Sequence, residues 1–392
     1  MEQVRLGVIG LGWRSGVTKY WHQPDGRSLV VAGCDLSADN REKYRQRINP
    51  DLWVTSDYRE LLARPDVDAV IVLTPDYCHE EHTIAALQAG KHVYSEKPLA
   101  ITTAGCDRIL EAWQASGKHF MIGFNMRYMS MYRTMKEIID AGEIGEVKAV
   151  WVRHFVGLGG DYYYHSWHGS SRNTTSLLLQ KGSHDLDIIH WLAGSYTRKV
   201  SAFGSLDYFG GDKPDDLTCS ACPDNTTCPE ARFGVLQRCA FRKEIDVEDN
   251  SMVMMEMDNG VKASYLQCHF TPDYQRNYTV IGTKGRLENS EPEGKVYVHT
   301  RQSASWRSLS DQTYAIKQEE GSHNGADPRI CKEFIDLVLY GKEPVASPLD
   351  GRMSVAVGCA AAESMRTGGR LLTIEPYRRP AEASCATNAV MP

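Results

Sequence analysis

Hydrophobic residues alternate with helical segments along the first 125 residues of the chain. Short apolar runs are separated by stretches with apolar residues every three or four positions, such as HEEHTIAALQAG. Strands that alternate with helices in this way are typical of βαβ units around a parallel sheet. We therefore predict an α/β domain over residues 1–125, with strands at 4–9, 29–34, 69–73, 92–94 and 119–124.

The pattern changes after a helix through MYRTMKEIIDAG, which we expect to bridge two domains. Long runs such as VKAVWVRHF and SMVMMEMDNGVKASYLQCHF alternate polar and apolar residues, and DNG marks a hairpin turn between two strands. We predict an α+β domain over 126–375 with a large, mostly antiparallel open sheet. Its further helices are expected near 176–193, 327–340 and 350–367. Residues 376–392 lack periodicity and are predicted to be a disordered tail.

Composition agrees with two domains and excludes some classes of partner. The chain has 392 residues, of which 42% are hydrophobic, so two cores can be buried. Its 44 basic and 50 acidic residues give a net charge of -6 without a block of five like charges, which argues against nucleic acid binding. The first apolar run is too short to enter a membrane. Most of the eleven cysteines lie in apolar or helical segments, so we expect free thiols and a cytoplasmic protein.

A glycine-rich turn, GLGWRSG, follows the first predicted strand. Gly10 and Gly12 have the spacing that a tight turn and close approach to a pyrophosphate require, and Ser15 stands where Gly or Ala is usual. We predict a Rossmann dinucleotide-binding domain in which Gly10, Gly12, Trp13, Arg14 and Ser15 contact the cofactor. The alternative is an ordinary turn between a strand and a helix.

Asp35 ends the second predicted strand, where an acidic residue can accept hydrogen bonds from the adenosine ribose. Its carboxylate would repel a 2′-phosphate, so NAD is favoured over NADP. The alternative is that Asp35 only caps the following helix.

Five features in a fixed order carry a resemblance to a known family. With Gly10, Gly12 and Asp35, the segments TPDYCH at 74–79 and EKP at 96–98 resemble the glucose-fructose oxidoreductase, inositol dehydrogenase and rhizopine catabolism family of NAD(P)-dependent oxidoreductases. The resemblance extends to about residue 375. It implies a homodimer or homotetramer, a cis bond at Pro98, and further cofactor contacts from Thr74, Pro75, His79, Glu96, Lys97 and Asn125.

The resemblance also places Lys97 beside the nicotinamide and the reacting hydroxyl. A lysine at the carboxyl end of a parallel strand faces the cofactor crevice, and its charge can stabilise the alkoxide that forms as hydride leaves. We expect Glu96 to orient it. The alternative is a surface ion pair at the end of a strand.

The segment LLLQKGSHDLDIIHWLAG, read as a helix, brings Gln180, Lys181 and His184 to one face. The resemblance places the catalytic histidine at His184 and an aspartate at Gln180, from which this chain departs. We predict that His184 is the general acid and base and that Gln180 and Lys181 contact the substrate. The alternative is a hydrogen-bonded core histidine.

An aromatic and polar loop, GGDYYYHSWHGSSRNTTS, precedes that helix. Aromatic faces stack on sugars while histidine and arginine bind hydroxyls or an anionic group. We predict a carbohydrate site, with an anionic sugar also compatible with the cations; packing of these aromatics on the sheet is the alternative. The substrate contacts assigned are Tyr163, His165, Trp167, His168, Arg172, Asn125 and Arg127.

Four cysteines lie in an insertion at 212–240 with the spacing C-x2-C-x5-C-x10-C. Four thiolates can close one tetrahedron around a structural zinc ion, with no position left for a substrate. Incidental free thiols and a redox disulfide are the alternatives. The residues are Cys219, Cys222, Cys228 and Cys239.

The predicted function is an NAD-dependent oxidoreductase that moves a hydride from a hydroxyl carbon of a sugar, glycoside or polyol to NAD. One alternative is an NAD-dependent glycosidase that oxidises C3 transiently, eliminates the aglycone, adds water and returns the hydride. A second alternative is an NAD-binding regulator without catalysis.

Overall fold

The computed structural model describes residues 2–234, 236–301 and 310–378, so most of the predicted tail, from 379 onward, lies outside the described residues. The chain divides into two compact units. The first contains the residues up to Met129 together with Glu319–Val355, and the second contains Ser130–Gln318 and Ala356–Glu375. The return of 319–355 to the first unit differs from the predicted division at residue 125.

The strands and helices of the described residues are as follows. In chain order the strands are β1 Val4–Ile9, β2 Ser28–Cys34, β3 Trp53–Thr55, β4 Ala69–Val72, β5 His92–Ser95, β6 Phe120–Ile122, β7 Val147–Val156, β8 Thr197–Ser205, β9 Asn250–Met257, β10 Lys262–Cys268, β11 Tyr274–Gly282, β12 Gly285–Ser290, β13 Lys295–Thr300, β14 Gln312–Ala315 and β15 Leu372–Thr373. The α-helices are α1 Ala38–Ile48, α2 Tyr58–Leu62, α3 His79–Gln88, α4 Thr103–Ser116, α5 Ser130–Asp140, α6 Gly157–Gly160, α7 Ser171–Thr174, α8 Leu177–Gln180, α9 Ser183–Ala193, α10 Ala326–Tyr340 and α11 Pro348–Arg366. The 3-10 helices are Trp13–Tyr20, Asp76–Cys78, Asn125–Tyr128, Asp161–Tyr163, Trp167–Gly169 and Cys219–Ala221.

The first unit is built on a parallel sheet with the strand order β3-β2-β1-β4-β5-β6. The order reverses between β1 and β4, which is the place where doubly wound sheets bind ligands beyond the carboxyl ends of their strands. The predicted α/β class is confirmed. Strand β3 was not predicted, because its three residues are too few to show a period in the sequence.

Helix α10 explains why residues 319–355 belong to the first unit. Its residues Ile330, Cys331 and Phe334 are buried in the same hydrophobic cluster as Trp21 and Tyr94. The ring of Trp21 lies edge-on to both Tyr94 and Phe334, with centroids 4.9 and 6.2 Å apart. The sequence predicted this helix correctly but not the unit in which it packs.

The second unit contains a sheet with the order β14-β13-β12-β11-β7-β10-β9-β8-β15. Its neighbours run antiparallel except β7 and β10, so the predicted, mostly antiparallel sheet is confirmed. The DNG hairpin joins β9 to β10 as expected, and Gly260 has a φ of +80° that favours glycine in this turn.

Candidate functional site

The glycine-rich turn in the first unit has the shape of a phosphate-binding turn. Gly10 has a φ of +94°, and a Cβ atom there would lie 2.7 Å from the backbone carbonyl of Leu73. A Cβ atom on Gly12 would instead meet no protein atom within 4 Å. Gly10 therefore allows the turn to pass against β4, and the open space beside Gly12 fits the close approach of a pyrophosphate.

The residues after Gly12 form a 3-10 helix, in which Trp13 is 87% exposed and Ser15 is buried. The hydroxyl of Ser15 donates to the carbonyl of Gly12 at 2.6 Å and accepts from the guanidinium of Arg47 at 2.7 Å. Ser15 thus holds the turn in shape. Cofactor contacts of Trp13 and Ser15 stay predictions.

Asp35 joins the end of β2 to the same turn. Its Oδ2 accepts from the backbone amide of Leu11 at 2.8 Å, and its Oδ1 accepts from the amide of Ser37 at 2.8 Å. The N-cap of α1 is Ser37, whose hydroxyl accepts from Asn40. Oδ1 also accepts from the side-chain amide of Asn40 at 3.3 Å, whereas Oδ2 keeps a lone pair for a further donor, so the predicted bond to ribose is compatible with these contacts.

Lys97 follows β5, and the Lys97–Pro98 peptide bond is cis, as the resemblance implies. The nearby His79 ring is buried, with Nδ1 2.6 Å from the carbonyl oxygen of Pro98 and Nε2 2.9 Å from that of Thr74. His79 therefore connects the TPDYCH segment to the EKP segment. A cofactor contact by this histidine, by Thr74 or by Pro75 stays a prediction.

Arg14 links the EKP segment to α10 within the first unit. Its Nε donates to Glu96 at 2.7 Å, and its two terminal nitrogens donate to Asp327 at 3.2 Å. Burial alone would raise the pKa of Asp327, but hydrogen bonds and charge from His323 and Arg14 hold it well below its usual range. Asn125 also donates to Asp327, at 3.2 Å. Sequence reasoning missed Asp327, because it lies more than 300 residues from Arg14.

Arg127, predicted to contact the substrate, is 4% exposed. Its guanidinium lies 3.0 Å from Asp350 and donates to the carbonyl of Val345 at 2.7 Å. The side chain therefore ties the 3-10 helix Asn125–Tyr128 to Val345 and to the first turn of α11. Its substrate contact stays a prediction.

In the second unit, the predicted helix over 176–193 is broken into α8 and α9. The chain passes so close to its neighbours at Gly182 that a Cβ atom would lie 2.2 Å from the carbonyl of Leu178 and 3.0 Å from the ring of Tyr265. Gln180 is buried at the end of α8, whereas Lys181 and His184 are partly buried on either side of Gly182. The three residues therefore surround a break in the helix and do not share one continuous helical face.

Asp185, which follows His184 directly, is the centre of a buried network. Its Oδ1 lies 3.0 Å from Nε of Arg276 and accepts a hydrogen bond from Tyr278. Its Oδ2 accepts from Tyr265 at 2.9 Å and lies 3.1 Å from Nδ1 of His154. These contacts fix the first turn of α9, and with it the backbone that carries His184.

The network perturbs the pKa values of its members. Burial, with the charge of Arg276, lowers the pKa of His154 to about 3. Burial would raise the pKa of Asp185, but Arg276 and His154 hold it far below its usual range. Burial, again with Arg276, also lowers the pKa of Lys181. Asp185 is therefore a charged carboxylate paired with Arg276, and His154 beside it is neutral. Burial disfavours the charged form of Lys181.

The aromatic loop is partly assembled around Lys181. Its Nζ lies 5.7 Å from the ring centroid of Tyr163, and that ring lies edge-on to His168 and His269 at 5.3 and 5.4 Å. His168 in turn stacks on Trp167, with centroids 3.7 Å apart. The structure therefore brings Lys181, Tyr163, His168 and Trp167 together as a chain of contacts.

Two other loop residues lie apart from this chain of contacts. His165 is buried, with Nδ1 2.6 Å from the carbonyl oxygen of Arg238 and 4.0 Å from the thiol of Cys219, so its ring faces the cysteine-rich segment. Arg172 is exposed. The substrate contacts of His165 and Arg172 stay predictions, since neither residue belongs to the chain of contacts around Lys181.

His154 and His269 are site residues that sequence reasoning missed. In β7 the buried positions alternate, so His154 occupies the inward face with Val150, Val152 and Val156. A histidine among valines on the buried face of a strand is a signal that the sequence already contained. Asp185 had no such signal beyond its place next to His184.

The four predicted zinc ligands line one cavity in the second unit, together with Phe241 and other residues of the insertion. In the arrangement that the structure describes, no group of three or more His, Cys, Asp or Glu side chains is drawn together tightly enough to hold a metal ion. Binding of zinc by these cysteines therefore stays a prediction.

Comparison with known proteins gives two matches that together span nearly the whole chain. Residues 4–124 match the family described as "Oxidoreductase family, NAD-binding Rossmann fold", and residues 136–373 match "Oxidoreductase family, C-terminal alpha/beta domain". The chain belongs to this oxidoreductase family. It is the family of glucose-fructose oxidoreductase, inositol dehydrogenase and rhizopine catabolism proteins that the motifs indicated.

Members of this oxidoreductase family resemble the chain over most of its length. An inositol 2-dehydrogenase of Pseudomonas savastanoi pv. phaseolicola is 34% identical over 390 residues, which cover 96% of this chain and 98% of that protein. The inositol 2-dehydrogenase of Gluconacetobacter diazotrophicus is 28% identical over 383 residues, with 96% and 98% covered.

Solved structures share the fold. An oxidoreductase domain protein from Kribbella flavida has a TM-score of 0.79 at 20% identity, covering 96% of this chain and 100% of that chain. Levoglucosan dehydrogenase in complex with NADH and levoglucosan has a TM-score of 0.77 at 19% identity, covering 95% and 99%. Among the described residues, no helix of this oxidoreductase combines the length and apolar character that a membrane span requires.

Proposed function

We propose that this oxidoreductase transfers a hydride from a hydroxyl-bearing carbon of a carbohydrate or polyol to NAD. The observation that carries the proposal is the 34% identity, over nearly the full length of both chains, to an inositol 2-dehydrogenase. The open space beside Gly12 and the carboxylate at the end of β2 fit a dinucleotide. NAD, when bound, supplies the hydride acceptor.

The chain's own residues would divide the remaining chemistry between them. The ammonium of Lys97 stabilises negative charge on the substrate oxygen, and His184 accepts the hydroxyl proton. Arg14 and Glu96 hold the backbone before Lys97, while the Asp185 network holds the backbone that carries His184. These assignments rest on matched positions and local geometry in each unit.

Lys181 favours an anionic substrate. Among the residues that the structure describes, its ammonium has the ring of Tyr163 as its contact and no carboxylate within ion-pair distance. Asp185, a buried carboxylate whose charge acts on Lys181, is already paired with Arg276. A partly buried ammonium without a counter-ion is costly, so a carboxylate on the sugar would relieve that cost.

The test is a panel of neutral sugars, polyols, uronates and aryl glycosides with NAD, in which NADH and released aglycone are followed together. We expect NADH to accumulate with product and Lys97→Ala to abolish it. Lys181→Met should lower kcat/KM at least tenfold for a uronate and much less for its neutral counterpart. Full activity of Lys97→Ala would remove the central assignment.

The glycosidase alternative is favoured by one observation. Gln180, where the family pattern has an aspartate, is a neutral and buried amide close to His184 in the chain. Release of aglycone without net NADH, together with exchange of the C2 hydrogen in deuterated solvent, would establish this alternative in place of the dehydrogenase. Inertness toward the whole panel would favour an NAD-binding regulator.

We also propose that this oxidoreductase is a homodimer or homotetramer built through the exposed face of the second sheet. Trp151 and Met254 lie on either side of Ser264 across three strands and are 53% and 59% exposed. Such exposed apolar side chains on neighbouring strands mark an interaction surface. Light scattering should give an oligomer that Trp151→Ser with Met254→Ser dissociates; a monomeric wild type would contradict it.

The cysteines support a cytoplasmic location. All those within the described residues are free thiols, including the buried Cys34, Cys106 and Cys331. Free thiols persist in a reducing compartment, and fractionation of cells would test the location directly.

A further inference from the structure

Four cysteines line a single cavity in the second unit. The cavity is lined by Cys219, Cys222, Cys228 and Cys239, and none of the four forms a disulfide. The sequence spacing left a zinc site, incidental thiols and a redox disulfide open, because it contains one short CxxC pair and two longer intervals. Convergence on one cavity is what the fold adds.

Two of the cysteines are presented by a short antiparallel bridge between Thr218 and Arg238. The amide of Cys219 donates to the carbonyl of Gln237 at 2.6 Å, and the amide of Cys239 donates to that of Leu217 at 2.8 Å. In this antiparallel pair Cys219 lies opposite Gln237, and side chains of directly opposite residues point to the same face. Gln237 and Cys239 are two residues apart on one strand, so they also share a face. Cys219 and Cys239 therefore project to the same side of this bridge.

The other two cysteines reach the cavity through tight turns. The amide of Cys222 donates to the carbonyl of Cys219 at 3.3 Å, which closes the CxxC turn. The carbonyl of Asp224 then accepts from the amides of Thr227 and Cys228, at 3.1 and 2.9 Å, and turns the chain back. Each thiol thus arrives from a backbone held by its own hydrogen bonds.

The segment that carries these turns has little hydrophobic support. The cluster beneath it consists of Tyr164, Leu177, Phe209, Ala240, Ile245 and Val247, so the described residues from Cys219 to Cys228 contribute no member. A segment without a core of its own needs another source of order, and a metal ion held by its cysteines is a common one.

We propose that Cys219, Cys222, Cys228 and Cys239 bind one zinc ion as thiolates. The thiols do not already stand in ligating positions, as no tight group of ligands exists in the described part of the chain. A change of one staggered χ1 rotamer moves a cysteine sulfur by about 3 Å, so we expect closure on the metal to use rotation of these side chains. Each thiol loses its proton on binding.

The site is structural and separate from hydride transfer. Four thiolates complete a tetrahedron and leave no coordination position for a substrate. Because the four ligands come together only in the folded insertion, zinc binding is coupled to the order of the insertion.

The test uses the full chain purified under reducing conditions. We expect one zinc per chain by elemental analysis, four additional reactive thiols after removal of the metal by a chelator, and loss of that reactivity when zinc is restored. Cobalt in place of zinc should give the absorption bands of a tetrahedral thiolate site. These measurements on the wild type do not depend on whether a variant folds.

Variants identify the ligands. Cys222→Ser and Cys228→Ser, which alter partly exposed cysteines, should each lower the zinc content at least tenfold, whereas Cys268→Ser in β10 should retain one zinc per chain. A zinc-free wild type whose thiols react identically with and without added zinc would overturn the proposal. A mass of the protein two hydrogens lower in the absence of reductant would show a disulfide among these cysteines, and it would also overturn the proposal.

Discussion

The buried network around Asp185 allows a sharp test by substitution of Asp185 with asparagine. The carboxylate is 0% exposed and contacts Arg276, His154 and two tyrosine hydroxyls. Asparagine keeps the shape of the side chain but removes its charge and replaces one acceptor oxygen with a donor. The guanidinium of Arg276, which stays protonated, is then left without its counter-ion.

Removal of one partner from a buried ion pair costs about 3–5 kcal/mol, and an unsatisfied buried donor adds about 1–3 kcal/mol. We therefore expect Asp185→Asn to lower the free energy of unfolding by at least about 4 kcal/mol, a large part of the usual 5–15 kcal/mol or so of a domain. The depressed pKa of Asp185 means that its contribution is present above the ordinary carboxyl pKa, near 3.9, and is lost as the pH falls below that value. The difference should therefore be constant between pH 5 and 8 or so.

The assay is urea unfolding followed by circular dichroism, with Arg276→Met and the double variant completing a cycle. We expect the double variant to be at least about 1.5 kcal/mol more stable than the sum of the single losses, because the unpaired cation has gone. Asp258→Asn is the control, since its carboxylate is 55% exposed and 4.0 Å from Arg198; it should cost less than about 1 kcal/mol. A loss below about 1 kcal/mol for Asp185→Asn, or strict additivity, would refute the reasoning.

Three further predictions concern the turn, the cofactor and pH. Gly10→Ala should lower the free energy of unfolding by about 2–4 kcal/mol, because φ is +94° and the new Cβ meets backbone at 2.7 Å. The control Gly16→Ala has open space around the new Cβ and should cost under about 1 kcal/mol. Equal thermal stability of the two variants would contradict this prediction. Asp35→Ser should shift the ratio of kcat/KM for NADP over NAD upward by about tenfold or more, and Asp39→Ser should leave that ratio unchanged. The pKa of His154 is lowered to about 3, so its neutral form stabilises the fold fully above pH 6.5 or so, and this contribution decreases by up to about 1.4 kcal/mol per pH unit as the pH falls from there. His154→Gln should reduce the pH slope of the unfolding free energy by up to one proton in that range, and an unchanged slope would argue against a buried neutral imidazole.

Local pattern was enough for most of the fold. The period of the apolar residues located β1, β2, β4 and β5 within one or two residues, because each strand is buried along its length. The helix over 176–193 was drawn too long, since the chain breaks at Gly182, where a Cβ atom would meet the ring of Tyr265, more than 80 residues away, as well as the carbonyl of Leu178. A periodic pattern cannot show such a contact.

The candidate site divides in the same way. Residue type and spacing indicated Lys181 and the four cysteines, because the chemistry of a CxxC pair is local, whereas the resemblance to the family indicated the roles of Lys97 and His184. Asp327 and Arg276 were missed, since their importance comes from partners far along the chain. Arg127 was assigned to substrate from its charge; its ion pair with Asp350 was not foreseen, because the partner lies more than 200 residues away.

The sequence by itself determined the order of strands and helices, the dinucleotide-binding turn and the family, because these depend on periodicity and on short motifs. Only the tertiary structure decided which charges are buried together. Antiparallel register between β7 and β11 sets His154 opposite Arg276, and Asp185 lies between them and two tyrosines. Partners separated by some 30 to 120 residues meet only after the sheet has formed, so their pKa values are properties of the fold.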